Sequence, residues 1–292
     1  MTALSLPIET IQHLRQRRAA GERVSMLAGE VGLPWQKLEK ILRHFIPPTT
    51  SPTISPPILT PITRLLQAAR ERTGTLTERY RPRSLDAILG QPTVVNILRQ
   101  FVANPYPVAF LCEGDTGTGK TTVAWALAEA LGCAVEHAEF GGVWSIASGE
   151  QSADAVRDMY RRLHLTTMYG SGWKVAVINE TDRMSKAAET IWLDVLENLP
   201  IRSVVIFTSN FGNTLPSRFR DRCVPLNFVA DPVRLQADAR LLVEGIWRQE
   251  TGKAASPEIV KKVLAAGVEG GKLSFRRIVQ ALQVQLMKGG AL

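Results

Sequence analysis

What the chain lacks narrows the field first. Its 292 residues include only three cysteines and four histidines. Cys112, Cys133 and Cys223 lie far apart, with no C-x-x-C pair, so three buried, reduced thiols are expected and neither a metal centre nor a disulfide framework. No apolar run approaches the roughly 20 residues that a membrane-spanning helix needs. The first residues, MTALSLPIETIQHLRQRR, lack the apolar core of a secretory signal. A cytoplasmic protein without a membrane partner is therefore expected. Acidic residues are the scarcer charge, 27 against 35 lysines and arginines, for a net charge of +8, which favours a polyanionic partner such as nucleic acid.

No internal repeat is present. Six of the seventeen prolines fall in IPPTTSPTISPPILTP, residues 46–61, among serines and threonines. Such a stretch suits an extended tether and not the interior of a helix or sheet. It divides an N-terminal module (1–46) from the main body, with a Pro/Ser/Thr-rich linker expected over 47–74. In the body, β-rich apolar runs at 108–114, 134–140, 174–180, 203–210 and 224–228 alternate with helical patterns at 120–131, 152–164 and 185–198. Near-continuous apolar strands separated by helices predict a parallel five-stranded sheet covered on both faces. After Pro232 the pattern is helical throughout, about 232–250, 256–267 and 273–287. The predicted fold is thus α/β over 75–230, a helical lid over 231–292, and a small all-α N-terminal domain.

EGDTGTGKTT, residues 113–122, contains G-x(4)-G-K-T after a predicted strand and before a predicted helix, the context this phosphate-binding loop requires. Glycines let the backbone N–H groups of Gly114, Asp115, Thr116, Gly117, Thr118 and Gly119 turn toward phosphates, and the helix N-terminus adds partial positive charge. Lys120 would reach the β- and γ-phosphates, the Thr121 hydroxyl would bind Mg²⁺, and Thr122 continues the loop. ATP and Mg²⁺ are the expected cofactors.

TERYRPRSLDAILGQPTVVNIL (77–98), GEQSADAVRDMY (149–160), SRFRDRC (217–223) and LSFRRIVQALQ (273–283) together resemble, in order, the clamp-loader ATPases of the AAA+ class, such as the small subunits of replication factor C. The resemblance implies that Arg81, Pro82, Ile88 and Val95 line the adenine pocket. It makes Glu180 the base that orients the attacking water, Asn210 a sensor of the γ-phosphate, and Arg276 a second sensor on the lid. Arg222, with Arg218 as fallback, would be an arginine finger that enters a neighbouring subunit's site. The family's metal-holding Asp is replaced here by Asn179, in KVAVINE; Asn179 can bond a metal-bound water but carries no charge, so firm ATP binding with slow hydrolysis is expected. Leu193-Asp194 stands where the family has an Arg-Arg pair, and the chain stops soon after the second sensor helix.

VSMLAGEVGLPWQKLEKIL, residues 24–42, fits a helix-turn-helix, with Leu27, Val31, Leu38 and Ile41 apolar, Ala28 at the close approach, Gly32 at the turn and Pro34 opening the second helix. That geometry nominates Trp35, Gln36, Lys37 and Lys40 for a DNA groove, and Arg15, Arg17, Arg18, Arg23 and Arg43 for phosphates. The module carries seven basic and four acidic residues, and a helical protein-docking module remains the alternative. In the body, Arg157, Arg161, Arg162 and Lys186 would face DNA in the central channel of a clamp-loader ring. Two functions stay open. One is an AAA+ ATPase that assembles with like or unlike AAA+ subunits on DNA and loads or remodels a protein client. The other is an ATP-gated DNA-binding adaptor, as in transposition or replication control, with little turnover.

Overall fold

The computed structural model describes residues 10, 13–14, 17–18, 22, 24–36, 38–39, 60–137, 140–210 and 215–289. The chain forms two compact units, residues 1–58 and 59–292.

In the first unit, helix α1 (Val24–Glu30) ends at Gly32, whose φ of +62° lets the Leu33 N–H return to the Ala28 carbonyl at 3.1 Å. A further helical turn starts at Pro34, with Leu38 N donating to Pro34 O at 3.1 Å. Leu14, Leu27, Ala28 and Leu38 make a small buried cluster. Arg17 pairs with Glu22 and Glu30, both at 2.6 Å, and Arg18 with Glu39 at 3.2 Å. Arg15, Arg23, Lys37, Lys40, Ile41 and Arg43 lie outside the described residues.

The second unit opens with a departure from expectation. Within 47–74, where a linker is expected, Pro61–Ala69 is helix α2, N-capped by Thr60, whose side chain accepts from Thr63 N. Thr-Pro is a helix-opening pair, since proline at the first position loses no hydrogen bond; Ile62, Leu65, Leu66 and Ala69 then share one apolar face. Helix α3 (Pro92–Ala103) follows, then strand β1 (Val108–Glu113) and helix α4 (Lys120–Ala130).

The second strand is also not where the apolar alternation suggested. Residues 134–140 carry Glu136, His137 and Glu139 and cannot fill a buried edge; Val135–His137 is a 3₁₀ turn. Strand β2 is Val143–Ile146, entered through Gly142, whose φ is +84° and where any side chain would strike the Trp173 carbonyl. Helix α5 (Ala153–His164), strand β3 (Lys174–Ile178), helix α6 (Lys186–Glu197), strand β4 (Ser203–Ser209) and strand β5 (Val224–Asn227) complete the sheet layer. The lid comprises helix α7 (Pro232–Thr251), helix α8 (Pro257–Ala266), a short β6–β7 hairpin (Val268–Glu269, Lys272–Leu273) and helix α9 (Phe275–Lys288).

The sheet order is β2-β3-β4-β1-β5, with every pair parallel. Alternation along each strand sends Val108, Phe110 and Cys112 toward α3 and α4, and Ala109 and Leu111 toward α5 and α6. Both faces are therefore dry, which is why the strands read as continuous apolar runs. A third cluster joins α2 to the lid through Leu65, Ala69, Leu242, Val243 and Leu282. All three cysteines are buried and unpaired, and burial pushes each thiol up to about 12. Among the described residues no helix is long and apolar enough to cross a membrane.

Candidate nucleotide site

The strand order decides what can meet. Strands β3, β4 and β1 are neighbours, so the segments that leave their C-terminal ends converge, and such a crevice is where open parallel sheets bind ligands. After β1 comes the glycine-rich loop. Gly119, at φ +103°, closes it and leaves the first turn of α4 without a side-chain cap, so those N–H groups stay available to an anion. Gly117, at φ +81°, passes so close to the lid that a side chain there would strike Ser274 Oγ.

Lys120 is only 8% exposed. Its ammonium donates to the Gly114 carbonyl at 2.6 Å, the Asp115 carbonyl at 2.8 Å and Asn210 Oδ1 at 2.9 Å. Burial pushes its pKa down to about 8; Arg276 lowers it further, while Cys112, Asp115 and Asp182 oppose the shift. The loop lysine and Asn210, at the end of β4, are thus brought together. Asp182, which sequence reasoning missed, sets the latter: its Oδ1 accepts from Ser209 Oγ at 3.2 Å and from Asn210 N at 3.4 Å.

At the end of β3, Thr121 Oγ1 donates to Asn179 Oδ1 at 3.1 Å, and Asn179 Nδ2 donates to the Ile146 carbonyl at 3.3 Å. The amide is therefore used at both ends. Glu180 adopts φ +52°, a left-handed conformation that costs a non-glycine residue about 1 kcal/mol. Its N–H is held by Thr208 Oγ1 at 3.1 Å, and its carboxylate accepts from Ser148 Oγ and lies 3.6 Å from Arg183. Gln151, buried at 3% exposure, donates to the carbonyls of Asn179 and Glu180. Ser148 sits in an irregular stretch that nothing in the sequence marked; Gln151 falls within GEQSADAVRDMY, but no local pattern assigned it this role.

The lid reaches the loop directly. Phe275 N donates to the Gly117 carbonyl at 3.1 Å, and Lys272 pairs with Asp115 at 2.5 Å. Between lid and loop runs a cavity of about 110 Å³, lined by Gly117, Thr118, Gly119 and Thr122 of the loop and its helix and by apolar side chains such as Leu65, Leu242 and Val279. Arg81, Pro82, Ile88 and Arg276 border it. Val95 does not: it is 5% exposed and packs in the core between sheet and α3, because its turn of α3 faces the sheet. Thr116 is exposed at the loop's tip.

The remaining candidates are engaged within the chain. Arg222 pairs with Glu197 and donates to the Arg218 carbonyl at 2.7 Å; Arg218 pairs with Glu189 at 3.2 Å. Arg157 pairs with Asp154 at 2.8 Å, Arg161 and Arg162 share Asp158, and Lys186 pairs with Glu189 at 3.1 Å. Trp35 is 51% exposed and Gln36 is also exposed.

Comparison with known proteins adds a second line to this geometry. Residues 90–232 match the family model described as DNA polymerase III, delta subunit. Replication factor C small subunit of Thermofilum pendens is 30% identical over 180 residues, 59% of this chain and 52% of that one. The Archaeoglobus fulgidus small subunit is 28% identical over 213 residues, 70% and 62% respectively; replication factor C subunit 3 of Saccharomyces cerevisiae is 25% identical over 213 residues, 70% and 58%. The chain spans between about half and three fifths of the length of these relatives. A single-substitution variant of Thermotoga maritima RuvB superposes with a TM-score of 0.56 at 17% identity, over 72% of this chain and 67% of that one, a likeness of fold. In sequence this chain is clamp-loader-like over the matched residues, and its sheet order, phosphate loop and lid fit that likeness.

Proposed function

We propose that this chain is a DNA-associated AAA+ ATPase that binds Mg–ATP between the phosphate loop and the lid, assembles with other AAA+ subunits on DNA, and loads or remodels a protein client with slow hydrolysis. The observation that carries the reading is a pair of hydrogen bonds at the C-terminal ends of neighbouring strands: Lys120 of the loop after β1 to Asn210 after β4, and Thr121 beside it to Asn179 after β3.

The donor set suits a triphosphate with its magnesium ion. Uncapped N–H groups of α4 and a buried ammonium attract phosphate oxygens, and the apolar side chains of the cavity lining suit a planar base. The described residues contain no group of three or more His, Cys, Asp or Glu that could hold a metal alone, so Thr121 and Asn179 would supply only one or two contacts, as magnesium on a nucleotide commonly receives. Bound magnesium draws charge from the phosphate oxygens and so eases attack by water. Glu180 is the chain's acceptor for that water's proton; its Oε2 faces both Ser148 and Arg183. Asn210 fixes the Lys120 ammonium at the phosphate loop, where it would meet phosphate oxygens. Arg276 brings a second cation from the lid. Asn179 satisfies Thr121 without adding negative charge, which is the reason for slow turnover.

Arg222 would act in trans by exchanging Glu197 for a neighbour's phosphate. The ion pair is exposed, and such pairs are worth about 0–1 kcal/mol, so the exchange is inexpensive. The adaptor alternative rests on the same neutral Asn179. Phosphate release with and without DNA, alongside solution mass with and without ATP and DNA, tests both. DNA-stimulated turnover by an oligomer supports the ATPase, and ATP-dependent assembly without turnover supports the adaptor. A chain that stays monomeric under every condition leaves Arg222 no neighbouring copy to serve, and a chain that takes up no ATP refutes both.

A further inference from the structure

Helix α2 lies ahead of the matched residues, which begin at 90, yet it forms part of the nucleotide cleft. Leu65, 1% exposed, borders the cavity beside Leu242 of α7 and Val279 of α9. The helix is seated closely: at Gly245 of α7 an added Cβ would lie 2.8 Å from Leu66 Cδ1. Arg64 reaches Asp86 at 3.5 Å, and just beyond the helix Arg72 donates to the carbonyls of Arg79 at 3.2 Å and Arg81 at 2.8 Å. The same segment thus braces Arg81, which borders the cavity as well.

A nine-residue helix is marginal on its own in water, since isolated helices shorter than about 12–15 residues rarely persist. Its stability comes from its seat on the lid. Whatever fills the cavity against Leu65 must therefore stabilise the seat, and by reciprocity the seat must strengthen binding of whatever fills the cavity. The helix also directly continues the proline-rich stretch that leads back to the N-terminal unit.

We propose that α2 is a nucleotide-responsive wall of this cleft: Leu65 packs against the base of a bound adenine nucleotide, so that occupancy and the seating of α2 are linked. This rests on the nucleotide-binding reading above and adds to it the residue and the helix that sense occupancy.

Hydrogen exchange of the full chain, with and without saturating ADP, provides the first test. Amides of α2 are expected to exchange at least about fivefold more slowly with ADP bound. ADP titration supplies the second: Leu65→Ala weakens binding about five- to tenfold, Leu65→Met restores most of it, and Gln67→Ala, on the exposed side of the same helix, leaves it unchanged. Unaltered exchange in α2 with ADP bound overturns the proposal, as does wild-type affinity in folded Leu65→Ala. Should Leu65→Ala not fold, exchange on the natural chain decides alone. Uptake of ADP without a response in α2 refutes this inference only; no uptake by the natural chain refutes the nucleotide reading beneath it as well.

Discussion

Replacing Asn179 with aspartate isolates the feature that separates this site from a typical hydrolase. The amide makes two side-chain bonds, accepting from Thr121 Oγ1 at 3.1 Å and donating to the Ile146 carbonyl at 3.3 Å. Aspartate keeps the first and loses the second. The Ile146 carbonyl is not orphaned, because Asn179 N still donates to it at 3.1 Å. The new carboxylate oxygen does face that carbonyl with no proton between them, which costs about 1–2 kcal/mol. Without magnesium the variant should therefore melt lower by about 2–8 °C, at about 2–4 °C per kcal/mol for a domain of this size. With magnesium and ATP the added charge acts on the ion. Groups that support a metal in this way are worth about 10–100-fold in affinity or activity, so Asn179→Asp should raise steady-state phosphate release by at least about tenfold and lower the magnesium concentration for half-maximal rate. Phosphate release across a magnesium titration, on both proteins, measures each quantity. A rate within about twofold of the natural chain, with an unchanged magnesium dependence, would refute the account of this position.

Two further outcomes follow from buried groups. Lys120 is held down to about pH 8 by burial, whereas in the unfolded chain it titrates near 10.4. Between those values the unfolded state carries the extra proton, so Lys120 makes stability rise with pH over that window. Phosphate binding needs the charged form, so ADP affinity should fall by up to about tenfold per unit above pH 8; titrations from pH 7 to 9.5 that show flat affinity would contradict this. Trp192 is fully buried with no hydrogen-bond partner for its indole N–H and packs edge-on against Phe207. Trp192→Phe should cost only about 1 kcal/mol, while Trp192→Ala should cost about 3–5 kcal/mol; urea unfolding that found equal losses would show the indole nitrogen to be satisfied after all.

Strands β1, β3 and β4 were legible because each is buried on both faces and so reads as an unbroken apolar run. Strand β2 was not: its four residues lie at the sheet's edge, and a more alternating segment nearby, 134–140, imitated it. Helix α2 was hidden by prolines that mark a tether in one half of the stretch and open a helix in the other. Val95 was assigned by its place in a motif, but the helical period turns it into the core.

The sequence alone determined the phosphate loop, the parallel α/β layering and the helical lid, because each is written in local spacing: glycines around a lysine, apolar runs of strand length, and apolar positions every three or four residues. Only the tertiary structure decided that Asp182 orients Asn210, that Ser148 and Gln151 hold the end of β3, and that Leu65 walls the cleft. These contacts join residues far apart in the chain, and their partners are set by the strand order, which no local pattern encodes. The same holds for Arg222 and the helix cations. Sequence counts their charge, but the carboxylates that occupy them are brought near by packing.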